Sequence, residues 1–393
     1  MPDTDDEAQT IHKAYKTQLR TTPEQRGAFR RWAGCARYIY NWALNQRIEA
    51  YEEREESLSA YAQDKAVTQL KKDEDHEWLS EPPRRVLYYA IQDLDQAFQN
   101  FFRRVKNGET PGFPRFKSKG RCTPSCSVYG TGIKVERSRI RLPKLGWVRL
   151  EEKGYIPTDA EKYGRVTVSR DVDKWYISVA TEVAAPSTNG QSGTLYVHPG
   201  VREWISMSNE ESLDLPTDRL DFYEARMRRQ QRKLSRKEKG SNNRAKMKTK
   251  LAKTHRRIRN IRKDATHKAT AYICYALHPE RLVVQDWDIR SMLTQQMDDV
   301  PRAVRRRIRR HIANANMSEM LRQLEYKSEW ANIDHVQLSQ DIPVSKRCSE
   351  CMSVNDDFGA EETFVCPSCG VVIDREKNAL QNMIVAFEDA LEA

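Results

Sequence analysis

The sequence predicts a multidomain α+β protein: an antiparallel β-barrel with a helical insertion, then an α/β domain and a zinc-binding cysteine motif. Three observations predict it. Short segments of alternating β-branched and aromatic residues crowd residues 133–181, whereas an isolated opening strand lies far upstream. After residue 193 the pattern runs strand, strand, long helix, strand, helix, strand. Two Cys-x-x-Cys pairs stand near the C-terminal end.

Residues 12–19 read as the opening strand, and Thr22-Pro23-Glu24 as a helix start. Phe29, Trp32, Ala33, Ala36, Tyr40, Ala43 and Leu44 then form a helical stripe, and residues 52–77 a second, charged helix and linker. A further stripe (Leu87, Ile91, Leu94, Phe98, Phe101, Phe102, Val105) ends at Asn107-Gly108. Both stripes are expected to pack helix on helix. Residues 110–122, rich in Pro, Gly and Lys/Arg, break the helix. Strands are predicted over 133–135, 139–142, 147–150, 165–169 and 175–181, closing with the opening strand into a small barrel. Residues 186–193 have linker composition. Beyond them come strands at 194–198 and 204–208, a basic helix over 226–263, a strand at 281–285, a helix over 303–330 and a strand at 335–339.

Cys348-x-x-Cys351, fourteen intervening residues, then Cys366-x-x-Cys369 is the strongest local signal. Tetrahedral Zn²⁺ takes four thiolates at about 2.3 Å, and each tight Cys-x-x-Cys turn supplies two. Four thiolates leave no open position for a reacting water, so this zinc is structural. Cys35, Cys122, Cys126 and Cys274 are scattered and read as ordinary thiols of a reducing compartment. The acidic, polar start predicts no signal or transit peptide, no apolar run reaches the roughly 18 residues of a membrane span, and a cytoplasmic protein is expected.

Lys and Arg number 67 against 56 Asp and Glu, a formal charge of +11, but the distribution says more than the sum. Nearly half of residues 226–263 are basic (Arg228, Arg229, Arg232, Lys233, Lys248, Lys250, Arg256 and Arg257 among them), with almost no acid to form i,i+4 pairs. A second cluster holds Arg103, Arg104, Arg115, Lys117 and Lys119, with Phe113 and Phe116 interleaved as stacking surfaces. Residues 302–310 form a third. Three such clusters predict a nucleic-acid-binding protein with salt-dependent affinity.

Particular strings carry a resemblance. Arg37-Tyr38-Ile39-Tyr40-Asn41-Trp42-Ala43-Leu44, Gly112-Phe113-Pro114-Arg115-Phe116-Lys117, Glu325-Tyr326-Lys327, Ser345-Lys346-Arg347-Cys348 and Asp374-Arg375-Glu376-Lys377-Asn378-Ala379 occur in order. So do related stretches at 255–267 and 282–292. The chain thereby resembles the TnpB (OrfB) family of transposon-encoded RNA-guided nucleases, relatives of the type V CRISPR effectors, over nearly its whole length. The resemblance implies a wedge-like oligonucleotide-binding barrel (10–21 and 116–185) interrupted by a helical recognition domain (22–115). It further implies a RuvC-like domain of RNase H fold (193–345 and 371–393) around the zinc-ribbon insertion (346–370). Guide RNA and a double-stranded DNA target are the implied partners.

The chain departs from the family at its metal-binding carboxylates. Such sites hold two divalent ions on carboxylates from three segments. The family's first Asp position matches His198 in Leu195-Tyr196-Val197-His198-Pro199-Gly200, and its Glu position matches Gln285 in Val284-Gln285-Asp286-Trp287. Its last Asp matches Glu376, or Asp374 if the alignment slips by two. Hard Mg²⁺ prefers oxygen ligands in octahedral array; a neutral amide and an imidazole serve it poorly. Asp286 should face away from Gln285 along a strand, and Asp288 would share its side only in an irregular strand. The expectation is an RNA-guided DNA-binding protein without nuclease activity, acting as a repressor. An active endonuclease with an unusual site, requiring Mg²⁺, and a guide-independent transposon accessory factor are the alternatives.

Overall fold

The computed structural model describes residues 10–129, 132–160, 163–185, 191–200, 203–286, 302–359 and 361–392. The linker residues 186–190, Val201 and the segment 287–301, which includes Trp287 and Asp288, lie outside them. The chain divides at Ala184/Ala185 into two compact units.

In the first unit, strand β1 (Thr10–Arg20) lies in the middle of a seven-stranded antiparallel sheet rather than at its edge. It pairs with β7 (Lys174–Ala184) on one side and β5 (Gly146–Leu150) on the other. The remaining strands are β2 (Ser125–Val128), β3 (Lys134–Glu136), β4 (Arg139–Leu142) and β6 (Tyr163–Asp171), giving the order β2-β6-β7-β1-β5-β4-β3. Alternation buries Trp175, Ile177 and Val179 on one face, the pattern a sheet with one covered side produces. The predicted closure into a barrel is not seen: among the described residues β2 and β3 end the ladder without pairing to each other.

Helix α1 (Pro23–Arg54) starts in a full capping box: the Thr22 hydroxyl accepts from the Gln25 amide, and the Gln25 side chain accepts from the Thr22 amide. Its first half places Phe29 and Trp32 in the sheet core, with the Phe29 ring 5.3 Å from that of Trp175. Its second half packs Ile39, Ala43 and Leu44 against α2 (Ala60–Leu70) and α3 (Arg84–Lys106), through Val67, Leu87, Ile91 and Leu94. One helix therefore serves two cores.

The second unit is built on a mixed five-stranded sheet, β10 (Ser212–Leu213), β9 (Ile205–Met207), β8 (Gln191–His198), β11 (Pro279–Gln285) and β12 (Asp334–Leu338) in spatial order. The first three are antiparallel; β8, β11 and β12 are parallel. Helices α5 (Asn242–Ala271) and α7 (Met317–Ala331) pack on one face, through Ala269, Met320 and Leu324 against Leu195, Val197, Leu282 and Val284. Helix α8 (Arg375–Glu392) covers the other, through Ala379, Met383 and Phe387 against Tyr196 and Val283.

Two predicted helices are broken. The basic stretch is a hairpin of α4 (Thr217–Ser235) and α5, because Gly240 takes a left-handed φ of 91° and the Ser241 hydroxyl caps α5 at the Arg244 amide. Arg244 in turn donates to the carbonyls of Leu234 and Lys237 and so ends α4. The helix expected over 303–330 is split into α6 (Arg302–Ala315) and α7 by Asn316, in left-handed conformation with φ 54°. Among the described residues no helix is long and apolar enough to cross a membrane.

Candidate functional site

The four cysteines of the paired motif come together around the hairpin β13 (Thr363–Val365) and β14 (Val372–Asp374). All four sulfurs lie within 4.8 Å of one another. The Sγ atoms of Cys348 and Cys369 are 3.7 Å apart, and those of Cys351 and Cys366 3.5 Å. Thiolates about 2.3 Å from a tetrahedral centre stand roughly 3.8 Å apart, so the set fits a single Zn²⁺. Ser353, with its Oγ 3.0 Å from Cys351 and 3.3 Å from Cys366, holds both thiols below their ordinary range, Cys366 down to about 5. Those two thus favour the thiolate form a metal needs, whereas crowding by the other three sulfurs pushes Cys369 up to about 12, as expected of four thiols brought together without a cation between them. Phe358 and Phe364 close the cluster on its apolar side.

Asn378 and Asn382, one turn apart on α8, tie the entry of this cluster to that helix. Asn378 accepts from the Ser349 amide, inside the Cys348–Cys351 turn, and donates to the Arg347 carbonyl. Asn382 donates to the carbonyls of Val344 and Arg347. Both are fully buried. Outer partners that orient ligands commonly govern metal affinity. Asn378→Ala is expected to weaken zinc retention by roughly tenfold, read as faster zinc transfer to a colorimetric chelator. Unchanged transfer would leave Asn378 a packing residue only.

The three positions matched to the family's carboxylates also converge. His198 ends β8, Gln285 ends the adjacent parallel β11 one step beyond the Val284–Val197 register, and Glu376 sits in the first turn of α8. His198 Nε2 is 3.4 Å from Glu376 Oε2, and all three residues are at least 94 % buried. A Cβ on Gly200 would stand 2.8 Å from Glu376 Oε1 and 2.7 Å from the Glu203 carbonyl, so only glycine admits Glu376 to this depth. Gln285 donates its side-chain N–H groups to the carbonyls of Ile342 (2.7 Å) and Ser339 (3.3 Å). Two carbonyl acceptors assign the nitrogen to that side; the position is lined for a donor.

Asp374 is outside this arrangement. It is exposed and caps α8, its Oδ1 accepting from the amides of Glu376 and Lys377. Asp286 is exposed as well and lines a cavity of about 230 Å³ with Val284, Glu325 and His335, on the sheet face opposite Gln285.

Burial, helped by the nearby Arg375 charge, pushes the His198 imidazole down to about 3. A base with a lowered folded pKa binds fewer protons folded than unfolded between pH 3 and its ordinary 6.5. Stability from this residue is therefore full above pH 6.5 and is lost as pH falls towards 3. In His198→Asn the acid side of the stability–pH curve should flatten in urea titrations from pH 7 to pH 4; an identical slope would mean that His198 does not set it.

The basic residues are distributed as follows. Arg103 and Arg104 are exposed in the last turn of α3, and Arg115 and Lys119 in the segment after it. Lys117 departs from the surface role expected of it: it is half-buried, its Nζ lies 3.5 Å from the Tyr40 ring centre, and burial lowers its pKa. Its backbone is held by Asn41, which accepts from the Lys117 amide at 2.7 Å and donates to its carbonyl at 2.9 Å. The Tyr40-Asn41 and Phe116-Lys117 strings are thus one structural unit. On the α4–α5 hairpin Arg228, Arg229, Arg232, Lys233, Lys248, Lys250 and Arg257 are exposed and Arg256 is half-buried.

That hairpin is not free of acid pairing, contrary to the sequence reading. Buried Glu224, just upstream of the basic stretch, meets Arg262 at 3.4 Å, Arg310 at 3.5 Å and Arg228 at 3.8 Å. Glu224, Ser353 and Asn382 take part in these arrangements and were not singled out from the sequence, while Gly200 and Asn378 stood there only inside matching strings. Only the asparagine spacing carried a readable signal.

Three family models match the chain. The helix-turn-helix domain of the IS605 OrfB proteins covers residues 11–56, which here form a strand and a single long helix. The IS605 OrfB model, "Probable transposase", covers 178–296, and the Cas12f1-like TNB domain covers 318–383. The chain is 30% identical over 381 residues to "Putative RNA-guided DNA endonuclease InsQ" of Escherichia coli (strain K12), covering 95% of this chain and 92% of that one. It is also 30% identical over 389 residues to a "Putative RNA-guided DNA endonuclease" of Streptomyces pristinaespiralis, covering 96% and 90%. Among solved structures, the Cas12f1 chain of a cryo-EM complex with sgRNA and target DNA superposes with a TM-score of 0.58 at 15% identity, over 95% of this chain and 98% of that one. The likeness in fold extends to a type V effector, and the sequence match, at this identity and over nearly the full length, places the chain in the TnpB (OrfB) family of IS605 elements.

Proposed function

We propose that this chain is an RNA-guided DNA-binding protein that does not cut, and that it blocks transcription where its guide finds a match. The observation that carries the reading is the state of the converged site. His198 and Gln285 stand where the RuvC-like arrangement of the family calls for carboxylates, and Gln285 points its N–H groups at two carbonyls. One buried carboxylate, Glu376, remains, and a two-metal mechanism needs several anions to hold its Mg²⁺ ions. The surfaces that would hold nucleic acid keep their charge: Arg103, Arg104, Arg115 and Lys119, and the exposed basic side chains of α4 and α5. Guide pairing would supply sequence specificity while the protein holds the heteroduplex by its backbone. The zinc ribbon is structural.

The test is to purify the protein from cells expressing its own locus, sequence the bound RNA, and incubate the complex with guide-matched DNA in Mg²⁺ or Mn²⁺. Expected are a discrete RNA, guide-matched binding that weakens steeply with salt, and intact DNA. Cleavage lost on Glu376→Gln would establish an active endonuclease instead, the activity named for the relatives. Absence of any discrete RNA would leave a guide-independent accessory factor.

A further inference from the structure

The first unit holds a cavity of about 400 Å³ between α1, α3 and the β2–β6 edge of the sheet. We propose that it takes one nucleotide of the bound nucleic acid, with Arg37 and Lys117 contacting its phosphodiester. The proposal rests on the nucleic-acid-binding reading above and deepens it by placing a contact.

Charge is the first argument. Arg37, Lys117 and Arg165 line the cavity, and Asp93 is the one carboxylate among its lining residues. Asp93 is bound to Arg165, which donates to it at 2.7 Å and to the Ser127 hydroxyl at 2.9 Å, and its charge also reaches Lys117, so three cations share one carboxylate. That leaves the Arg37 guanidinium, half-buried and without a hydrogen bond or ion pair among the described residues, beside the half-buried Lys117 ammonium. Like charges gathered in a partly desolvated pocket repel unless an anion joins them.

Rigidity is the second. Asn41 grips both backbone groups of Lys117, and the Tyr40 ring lies beneath its ammonium, so the cation is held in place before any ligand arrives. Arg165 is likewise fixed, with its guanidinium 4.5 Å over the Tyr89 ring. Size is the third. The volume falls in the range of small-molecule sites, about 300–1,000 Å³, which leaves room for a sugar or base beside the phosphate.

The experiment measures binding of a fluorescein-labelled single-stranded RNA and of a labelled DNA duplex by anisotropy over a salt series. Arg37→Ala is compared with Arg37→Gln and with Arg30→Ala, an exposed position on the same helix. Arg37→Ala should weaken one probe roughly tenfold and lower the log–log salt slope by about 0.7 for the single strand or about 0.9 for the duplex. The responding probe identifies the source of the phosphate. Arg37→Gln should behave like Arg37→Ala, and Arg30→Ala should stay near wild type. The proposal is overturned if neither probe responds, if Arg30→Ala loses as much as Arg37→Ala, or if Arg37→Gln retains full affinity. If the wild type binds neither probe, the nucleic-acid reading itself falls and the pocket with it.

Discussion

Cys348→Ser should empty the metal site and unfold the ribbon around it. Cys348 is fully buried, its sulfur is 3.7 Å from that of Cys369, and an alcohol in its place is a far weaker zinc ligand than a thiolate. Structural zinc contributes about 10–16 kcal/mol in small zinc domains, and most of that is folding free energy. The ribbon here has little else: its apolar core is Phe358 and Phe364 with Val371 and Ile373 beside them. Zinc per chain, measured by mass spectrometry, should drop from one to near zero, and limited proteolysis should newly cut residues 346–373. The damage should also spread, because Asn378 and Asn382 tie the ribbon's entry to α8. A Cys348→Ser protein that keeps a full equivalent of zinc and resists proteolysis would contradict a four-thiolate structural site.

A carboxylate at the second converged position should harm the protein. Gln285→Glu would place acceptor oxygens against the carbonyls of Ile342 and Ser339, at a residue only 5 % exposed. Two donated hydrogen bonds are lost and a charge is buried without a partner, which costs about 3–5 kcal/mol. Burial raises the pKa of such a carboxyl, so the cost is largest at neutral pH and shrinks as the pH falls and the group protonates. Urea unfolding at pH 7 and pH 5 should show a large deficit at the first and a smaller one at the second. Mg²⁺-dependent cleavage should not appear. Wild-type stability at pH 7, or any guide-matched cutting by Gln285→Glu, would show that the position still accepts a metal ligand.

His198 and Gln285 sit in different surroundings. His198 is a neutral imidazole beside a carboxylate, in a cleft that Gly200 keeps open for Glu376. Gln285 is bonded to the backbone after β12, so its replacement disturbs the connection that leads into the zinc ribbon.

The local chain by itself determined most of the elements of this protein and the four-cysteine cluster found among its described residues. A Cys-x-x-Cys turn brings two sulfurs together over four residues, alternation and 3.6-residue periodicity report which face is apolar, and Thr22-Pro23 with Gln25 makes a helix start wherever it stands. Nonlocal partners decided the rest. Period-2 alternation says that a strand has a covered face but not which strand lies beside it, so the open order β2-β6-β7-β1-β5-β4-β3 could be read only from the ladder. The acid pairing of the basic hairpin was hidden because Arg310 reaches Glu224 from 86 residues away in sequence. Whether Asp374 or Glu376 enters the site depended on which of them caps α8, and whether Gln285 tolerates a charge depended on two carbonyls more than fifty residues downstream. Burial and hydrogen-bond direction are properties of packed neighbours, and sequence spacing carries them only when those neighbours are local.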